Sequence, residues 1–149
     1  MPVKDTKKLT SKGVRMMMDA AIAKAGEFGI AATVAIVDAG GHLLMLERME
    51  GGRFHTVHSS TTKAVSAASN KRPTTSKGAQ GQSFDMLHAI GLALAAGPRT
   101  WTAVEGGYPV IFDNICIGGV GVAGGTLEQD EEIAVAALKS IGASYTMSS

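Results

Sequence analysis

Apolar residues recur every three or four positions in four segments of the chain, which is the spacing of a helix with one buried face. These segments run over residues 11–28, 55–70, 84–96 and 127–141. Thr126 and Gln129 stand at the start of the last one with the spacing of a capping box, in which each side chain accepts a hydrogen bond from the other residue's amide. Glycine or proline follows each segment closely, so the pattern predicts four helices.

Five shorter apolar and β-branched runs between these helices predict strands. They cover Thr33–Val37, Leu43–Leu46, Thr102–Glu105, Pro109–Phe112 and Ile115–Val122. Gly-Gly or Asp-Asn pairs separate the runs that have no helix between them, and such tight turns connect antiparallel strands. We therefore predict an α+β fold with a five-stranded antiparallel sheet flanked by helices, rather than a doubly wound parallel sheet.

The length of 149 residues suits one domain, which we place over residues 11–149 after a flexible, polar lead-in over residues 1–10. The lone cysteine, Cys116, excludes an intrachain disulfide and fits a reducing compartment. No apolar run has the length of a signal peptide or a membrane span. The net charge of +1 provides no field that would attract nucleic acid. We expect a cytoplasmic protein without nucleic-acid or membrane partners.

Charge is unevenly distributed, because no acidic residue occurs between Gly51 and Phe84. The basic residues of this stretch are Arg53, Lys63, Lys71, Arg72 and Lys77. Such a run is typical either of a solvated face or of a site for an anion. The anion site is favoured by Gly51 and Gly52, because they precede a predicted helix whose first amides could receive a carboxylate or phosphate. Arg48, Arg53, Lys63 and Arg72 could add charge-assisted hydrogen bonds; alternatively, Lys63 and Arg72 pair with acids across a subunit interface.

His55 and His58 are three residues apart at the predicted start of the second helix, so they share one of its faces. Two imidazoles there could act as acid and base near neutral pH, bind iron or another metal, or be structural or surface groups. The sequence offers no obvious third ligand, so we predict no metal site. We take His55 and His58 as candidate catalytic residues, with the glycines and basic residues above as ligand-binding candidates.

Several motifs together resemble one known family. Val34–Gly51 resembles the pattern VVDxxGxLxxxxRMDGA, and Gly106–Val110 resembles GGxPI. Lys63-Ala64, Arg72-Pro73-Thr74, Ile117–Gly125 and Gln129-Asp130 match further motifs in the same order. The set is similar to the haem-degrading HbpS-like family, which includes GlcG and the C-terminal domain of PduO, and it covers nearly the whole chain.

This resemblance implies a profilin-like α-β-α sandwich that assembles into a homo-oligomer, from tetramer to octamer. It also implies haem as the candidate cofactor, although iron-ligating members carry a histidine on the first helix and Ser11–Phe28 contains none. Glu50 and Thr62 stand where the family usually has aspartate.

Two functions of different classes follow. The leading hypothesis is a small-molecule-binding protein that holds an organic anion, an aromatic metabolite or a tetrapyrrole such as haem. Its pocket would lie at a subunit junction near His55, His58 and Lys63. The alternative is a cofactor-independent lyase or isomerase of a catabolic pathway, in which His55 or His58 moves protons and Arg48, Lys63 or Arg72 holds a carboxylate. A purely structural role in an assembly is the third hypothesis.

Overall fold

A computed structural model describes residues 1–78 and 80–148 of the chain. All four predicted helices are present, and so are four of the predicted strands, with bounds within a few residues of those predicted. The elements are α1 (Ser11–Phe28), β1 (Thr33–Asp38), β2 (Leu43–Arg48), α2 (Thr56–Asn70), α3 (Met86–Ala96), β3 (Gly107–Phe112), β4 (Ile115–Ala123) and α4 (Leu127–Ser140). No helix of the described residues is long and apolar enough to cross a membrane.

The prediction of a fifth strand over Thr102–Glu105 is wrong, because the sheet formed by the described residues has four strands. The backbone of this run bonds to side chains instead of to a neighbouring strand. The Thr102 amide donates to Ser66 Oγ at 3.3 Å, and the Val104 amide donates to Thr102 Oγ1 at 3.1 Å. A β-branched sequence therefore forms an irregular segment against α2, since strand propensity has no effect without a pairing partner.

The sheet is antiparallel throughout, in the order β2-β1-β4-β3. The predicted hairpin between β1 and β2 is confirmed. Asp38 closes its turn, because its Oδ1 accepts hydrogen bonds from the amides of Gly40 and His42, both at 2.9 Å. In this order β1 and β4 are the central strands, and β2 and β3 form the two edges of the sheet.

Helices α1 and α4 pack on one face of the sheet and form the main core. Its largest fully buried side chains include Met17, Ile36, Val120 and Ile133. The predicted capping box of α4 is confirmed: the Gln129 amide donates to Thr126 Oγ1 at 3.2 Å, and the Thr126 amide donates to Gln129 Oε1 at 3.0 Å. This cap fixes where α4 begins, beside the end of β4.

Helix α2 lies on the other face of the sheet and approaches it unusually closely. A Cβ at Gly121 of β4 would overlap the Ser60 carbonyl of α2, and one at Gly119 would overlap the Ala64 carbonyl. The glycines of β4 therefore allow backbone-to-backbone packing. This approach buries the middle of α2, including Lys63, against the sheet.

Helix α3 is apolar but carries no buried residue. Leu87, Ile90 and Leu94 repeat at the spacing of one helix face and are 79%, 50% and 77% exposed. Within the described part of the chain, no other helix or strand packs against the backbone of α3. The chain thus presents to solvent a helix face whose composition is that of a core.

Candidate ligand-binding groove

An open groove of about 680 Å³ lies where the start of α2, the segment before β3 and the start of α4 meet. It brings together four of the predicted site residues: Arg53, His55, His58 and Lys63. Its apolar wall consists of Ala93, Pro98, Trp101, Val104, Ala123 and Leu127. We call this feature the α2 groove.

The floor of the α2 groove is a buried charged pair, Lys63 and Asp130, which are 6% and 4% exposed. Lys63 Nζ donates a hydrogen bond to the Val122 carbonyl at 2.8 Å and lies 3.9 Å from Asp130 Oδ2. The other carboxylate oxygen of Asp130 accepts from the Gly125 amide at 2.9 Å. The Lys63 ammonium already has two partners, so a ligand must share it with them or displace them.

Burial opposes the charge of both members of this pair. It lowers the pKa of Lys63 below the ordinary lysine value, against the attraction of Asp130 and Glu105. It likewise raises the pKa of Asp130, against the hydrogen bond from Gly125 and the charge of Lys63. Each charge therefore depends on the other, which makes the pair sensitive to the loss of either partner.

The mouth of the groove carries the exposed side chains of Arg53, His55 and His58. The amides that open α2 are already used, since Thr56 donates to the Arg53 carbonyl at 3.1 Å and His58 to the His55 carbonyl at 3.1 Å. The structure therefore does not provide the free amides that were expected to receive an anion at this helix start. Side chains, rather than the backbone, are the polar groups that a ligand would meet.

The other predicted ligand-binding residues lie elsewhere. Arg48 ends β2, where it pairs with Thr33 of β1. Gly51 and Gly52 form the turn that follows, and Gly51 adopts a φ of 89° that favours glycine. None of these three lines the α2 groove. Arg72 follows α2 and lines a separate cleft.

Asp130 and Trp101 are among the groove residues that sequence reasoning missed. Asp130 lies in the first turn of α4, where the helix dipole favours negative charge, and nothing in the sequence links it to Lys63, 67 positions earlier. Trp101 could have drawn notice as the single tryptophan of a chain that is only 5% aromatic. Among the described residues there is no cluster of three or more histidine, cysteine, aspartate or glutamate side chains that could hold a metal ion.

The fold and groove define an α+β sandwich domain in which one helix lies directly on a glycine-rich sheet face. Residues 9–139 match the family described as haem degrading protein HbpS-like, and the chain belongs to this family. The resemblance found in the sequence motifs is thereby confirmed.

Individual relatives agree with this assignment. A 15.0 kDa protein of the dhaT-dhaS intergenic region of Citrobacter freundii is 34% identical over 130 residues, covering 87% of this chain and 89% of that protein. The crystal structure of Klebsiella pneumoniae ORFY is similar with a TM-score of 0.81 and 35% identity, covering 94% of both chains. A PduOC–haem complex is similar with a TM-score of 0.79 and 25% identity, covering 95% of this chain and all of that one.

Proposed function

We propose that this protein binds a small organic anion, an aromatic metabolite or a tetrapyrrole such as haem in the α2 groove, at a junction between subunits. The observation that carries the proposal is the convergence of Arg53, His55 and His58 at one opening. Behind them lie the Lys63–Asp130 pair and an apolar wall. A mainly apolar cavity of this size with a few polar groups is typical of small-molecule sites.

The groove contains side chains of the types that bind haem. The imidazoles of His55 and His58 can ligate iron, Arg53 can pair with a propionate, and the Trp101 side of the wall can face the macrocycle. Bound haem would supply an iron centre for ligand or redox chemistry, while the chain's residues hold and orient it. The similarity to a PduOC–haem complex supports this candidate.

The proposed subunit junction rests on exposed apolar surface beside the groove. The groove residues Val104 and Leu127 are 54% and 53% exposed, Phe54 next to Arg53 is 80% exposed, and Ala93 of α3 lines the same groove. The chain exposes 8584 Å², whereas a compact monomer of 15.3 kDa exposes about 7,100 Å². Part of this excess comes from the lead-in, whose residues 1–8 are exposed, and the exposed apolar face of α3 contributes to the rest. A second copy of this chain is the occupant we propose for α3, in a tetramer to octamer.

We expect organic anions that bind the groove to lose affinity about tenfold in an Arg53→Ala variant, because a charge-assisted hydrogen bond is removed. A thermal-shift screen of carboxylates and aromatic acids on the wild type and the variants measures this. His55→Ala/His58→Ala should weaken the same ligands and should weaken a saturable Soret change on haem titration. Exposed His42 lies in the β1–β2 turn, so His42→Ala is the matched control. Lys63 is unsuited to this test because its removal disturbs the buried pair.

The proposal would be contradicted if no ligand in this screen stabilises the wild type. It would also be contradicted if the ligands that stabilise the wild type stabilise Arg53→Ala and His55→Ala/His58→Ala equally well. The screen also addresses the lyase or isomerase alternative, which the two imidazoles in one groove support. That alternative requires a bound carboxylate to be consumed on incubation, and consumption must stop in the His55→Ala/His58→Ala variant.

We expect the wild type to be oligomeric at micromolar concentration and Leu87→Glu/Leu94→Glu to be a monomer of 15.3 kDa. Two carboxylates on the face of α3 would have to be desolvated in the interface. Light scattering after size exclusion gives the mass directly. Met16→Glu, at a 42% exposed apolar position of α1, is the control that should leave the assembly intact. A monomeric wild type would refute the subunit junction.

A further inference from the structure

A second cleft, of about 540 Å³, lies on the other side of the Trp101–Thr102 segment from the α2 groove. Its walls include Arg72, Lys77, Phe84, His88, Leu92 and Trp101, and we call it the aromatic cleft. It shares Trp101 and Thr102 with the α2 groove but none of the groove's histidines or arginines. Its volume is in the range of small-molecule sites.

Three rings form a connected wall of the aromatic cleft. The Phe84 ring lies 5.6 Å from the His88 ring and 6.1 Å from the Trp101 ring, centroid to centroid, with interplanar angles of 34° and 46°. These separations are those of interacting aromatic pairs. Phe84 and Trp101 are half-buried, so each keeps part of its ring free for a further contact.

Charge at the rim of the aromatic cleft has one sign. Arg72 and Lys77 line it, and none of the described lining residues is acidic. The nearby Glu105 carboxylate is not among the lining residues, and its Oε2 accepts from the Ser76 amide and hydroxyl at 2.7 Å each and from Thr75 Oγ1 at 3.3 Å. Those hydrogen bonds hold the loop after α2 and lower the pKa of Glu105 against its burial, so this carboxylate stays ionised near the rim. The lining of the cleft itself carries only the two cations.

We propose that the aromatic cleft is a second binding site, which takes a small aromatic carboxylate. The ligand ring packs against Phe84 and Trp101, and its carboxylate pairs with Arg72 and Lys77. The aromatic wall contacts the ring of such a ligand, and the basic rim pairs with its carboxylate. An aliphatic anion would use only the rim, and a neutral aromatic compound would use only the wall. This site is separate from the one in the proposed function and does not depend on it.

The test uses naphthylacetate and its neutral amide, naphthylacetamide, with calorimetry on the purified full chain. Arg72→Ala should weaken naphthylacetate about fivefold, since the lost contact is charge-assisted but exposed to solvent, and should leave the amide unchanged. Phe84→Ala should weaken both compounds. Quenching of Trp101, the single tryptophan, should saturate with the same affinity. Arg53→Ala reports any binding in the α2 groove. Arg15→Ala, at an exposed arginine of α1 that lines neither cavity, is the matched control and should change nothing.

Absence of naphthylacetate binding to the wild type overturns the proposal. Equal binding by wild type and Arg72→Ala also overturns it. A loss of affinity in Arg53→Ala in place of Arg72→Ala would put the compound in the α2 groove, which refutes the second site while supporting the proposed function. Circular dichroism checks that Phe84→Ala remains folded. Arg72 is exposed, so its replacement leaves the core intact and Arg72→Ala is decisive even if Phe84→Ala unfolds.

Discussion

An Asp130→Asn variant is expected to lose about 3–5 kcal/mol of unfolding free energy near neutral pH. The substitution keeps the volume and can keep an oxygen acceptor for the Gly125 amide, but it removes the carboxylate that faces the buried Lys63 ammonium at 3.9 Å. Leaving a buried charge without its partner is among the most destabilising changes in a protein core. Denaturant titration of wild type and variant measures the difference.

The pH dependence of this variant should have a definite sign. The carboxylate of Asp130 is the main charge opposing the burial that lowers the pKa of Lys63, so its loss lowers that pKa further. Between the folded pKa and the unfolded value of 10.5, the unfolded chain binds a proton that the folded chain lacks. Stability therefore rises with pH in this window, and the variant should recover part of its loss as the solution is made alkaline.

A matched control comes from the same helix turn. Glu128 is also acidic and lies in the first turn of α4, but it is exposed. Glu128→Gln should cost no more than about 1 kcal/mol, the size of a helix-dipole interaction. Replacing both partners, as Lys63→Met/Asp130→Asn, should be much less harmful than Asp130→Asn because no buried charge remains. An Asp130→Asn variant as stable as Glu128→Gln would show that the pair is not the constraint inferred from its burial.

Gly121→Ala is expected to destabilise the fold by about 3 kcal/mol. The new methyl group would overlap the Ser60 carbonyl and lie 2.7 Å from the Ala64 amide, and both are backbone groups that cannot rotate away. Helix α2 would have to lift from the sheet. Because α2 carries His58 and Lys63, ligands of the α2 groove should also bind more weakly.

Gly26→Ala provides the comparison for that substitution, because a Cβ at Gly26 would meet no atom within 4 Å. Alanine there should stabilise α1 by about 0.5–1 kcal/mol, since glycine loses more backbone entropy on folding. Thermal unfolding of the two variants should therefore shift in opposite directions. Shifts of equal sign and size would show that the close contact between α2 and β4 is not limiting.

Sequence reasoning found the elements whose signals are local. The helices are encoded by the spacing of apolar residues and by caps such as Thr126 with Gln129, and the confirmed hairpin by Asp38 and its glycines. Thr102–Glu105 shows where local signals fail. Its residues favour a strand, but only the arrangement of distant elements decides whether a strand has a partner, and here Ser66 takes the hydrogen bond instead.

The sequence by itself determined the family, the α+β class and, apart from Thr102–Glu105, the order of the helices and strands, because these depend on short-range periodicity and on motifs read in order. Only the tertiary structure decided which charges share a site. Arg53 and Arg72 belong to one basic run, yet the 15 residues of α2 hold the two ends of that run about 22 Å apart. They therefore line different cavities. Lys63 lies between them in sequence and faces Asp130, which is 67 positions further along the chain. Lys63 is buried because the glycines of β4 allow α2 to pack closely against the sheet.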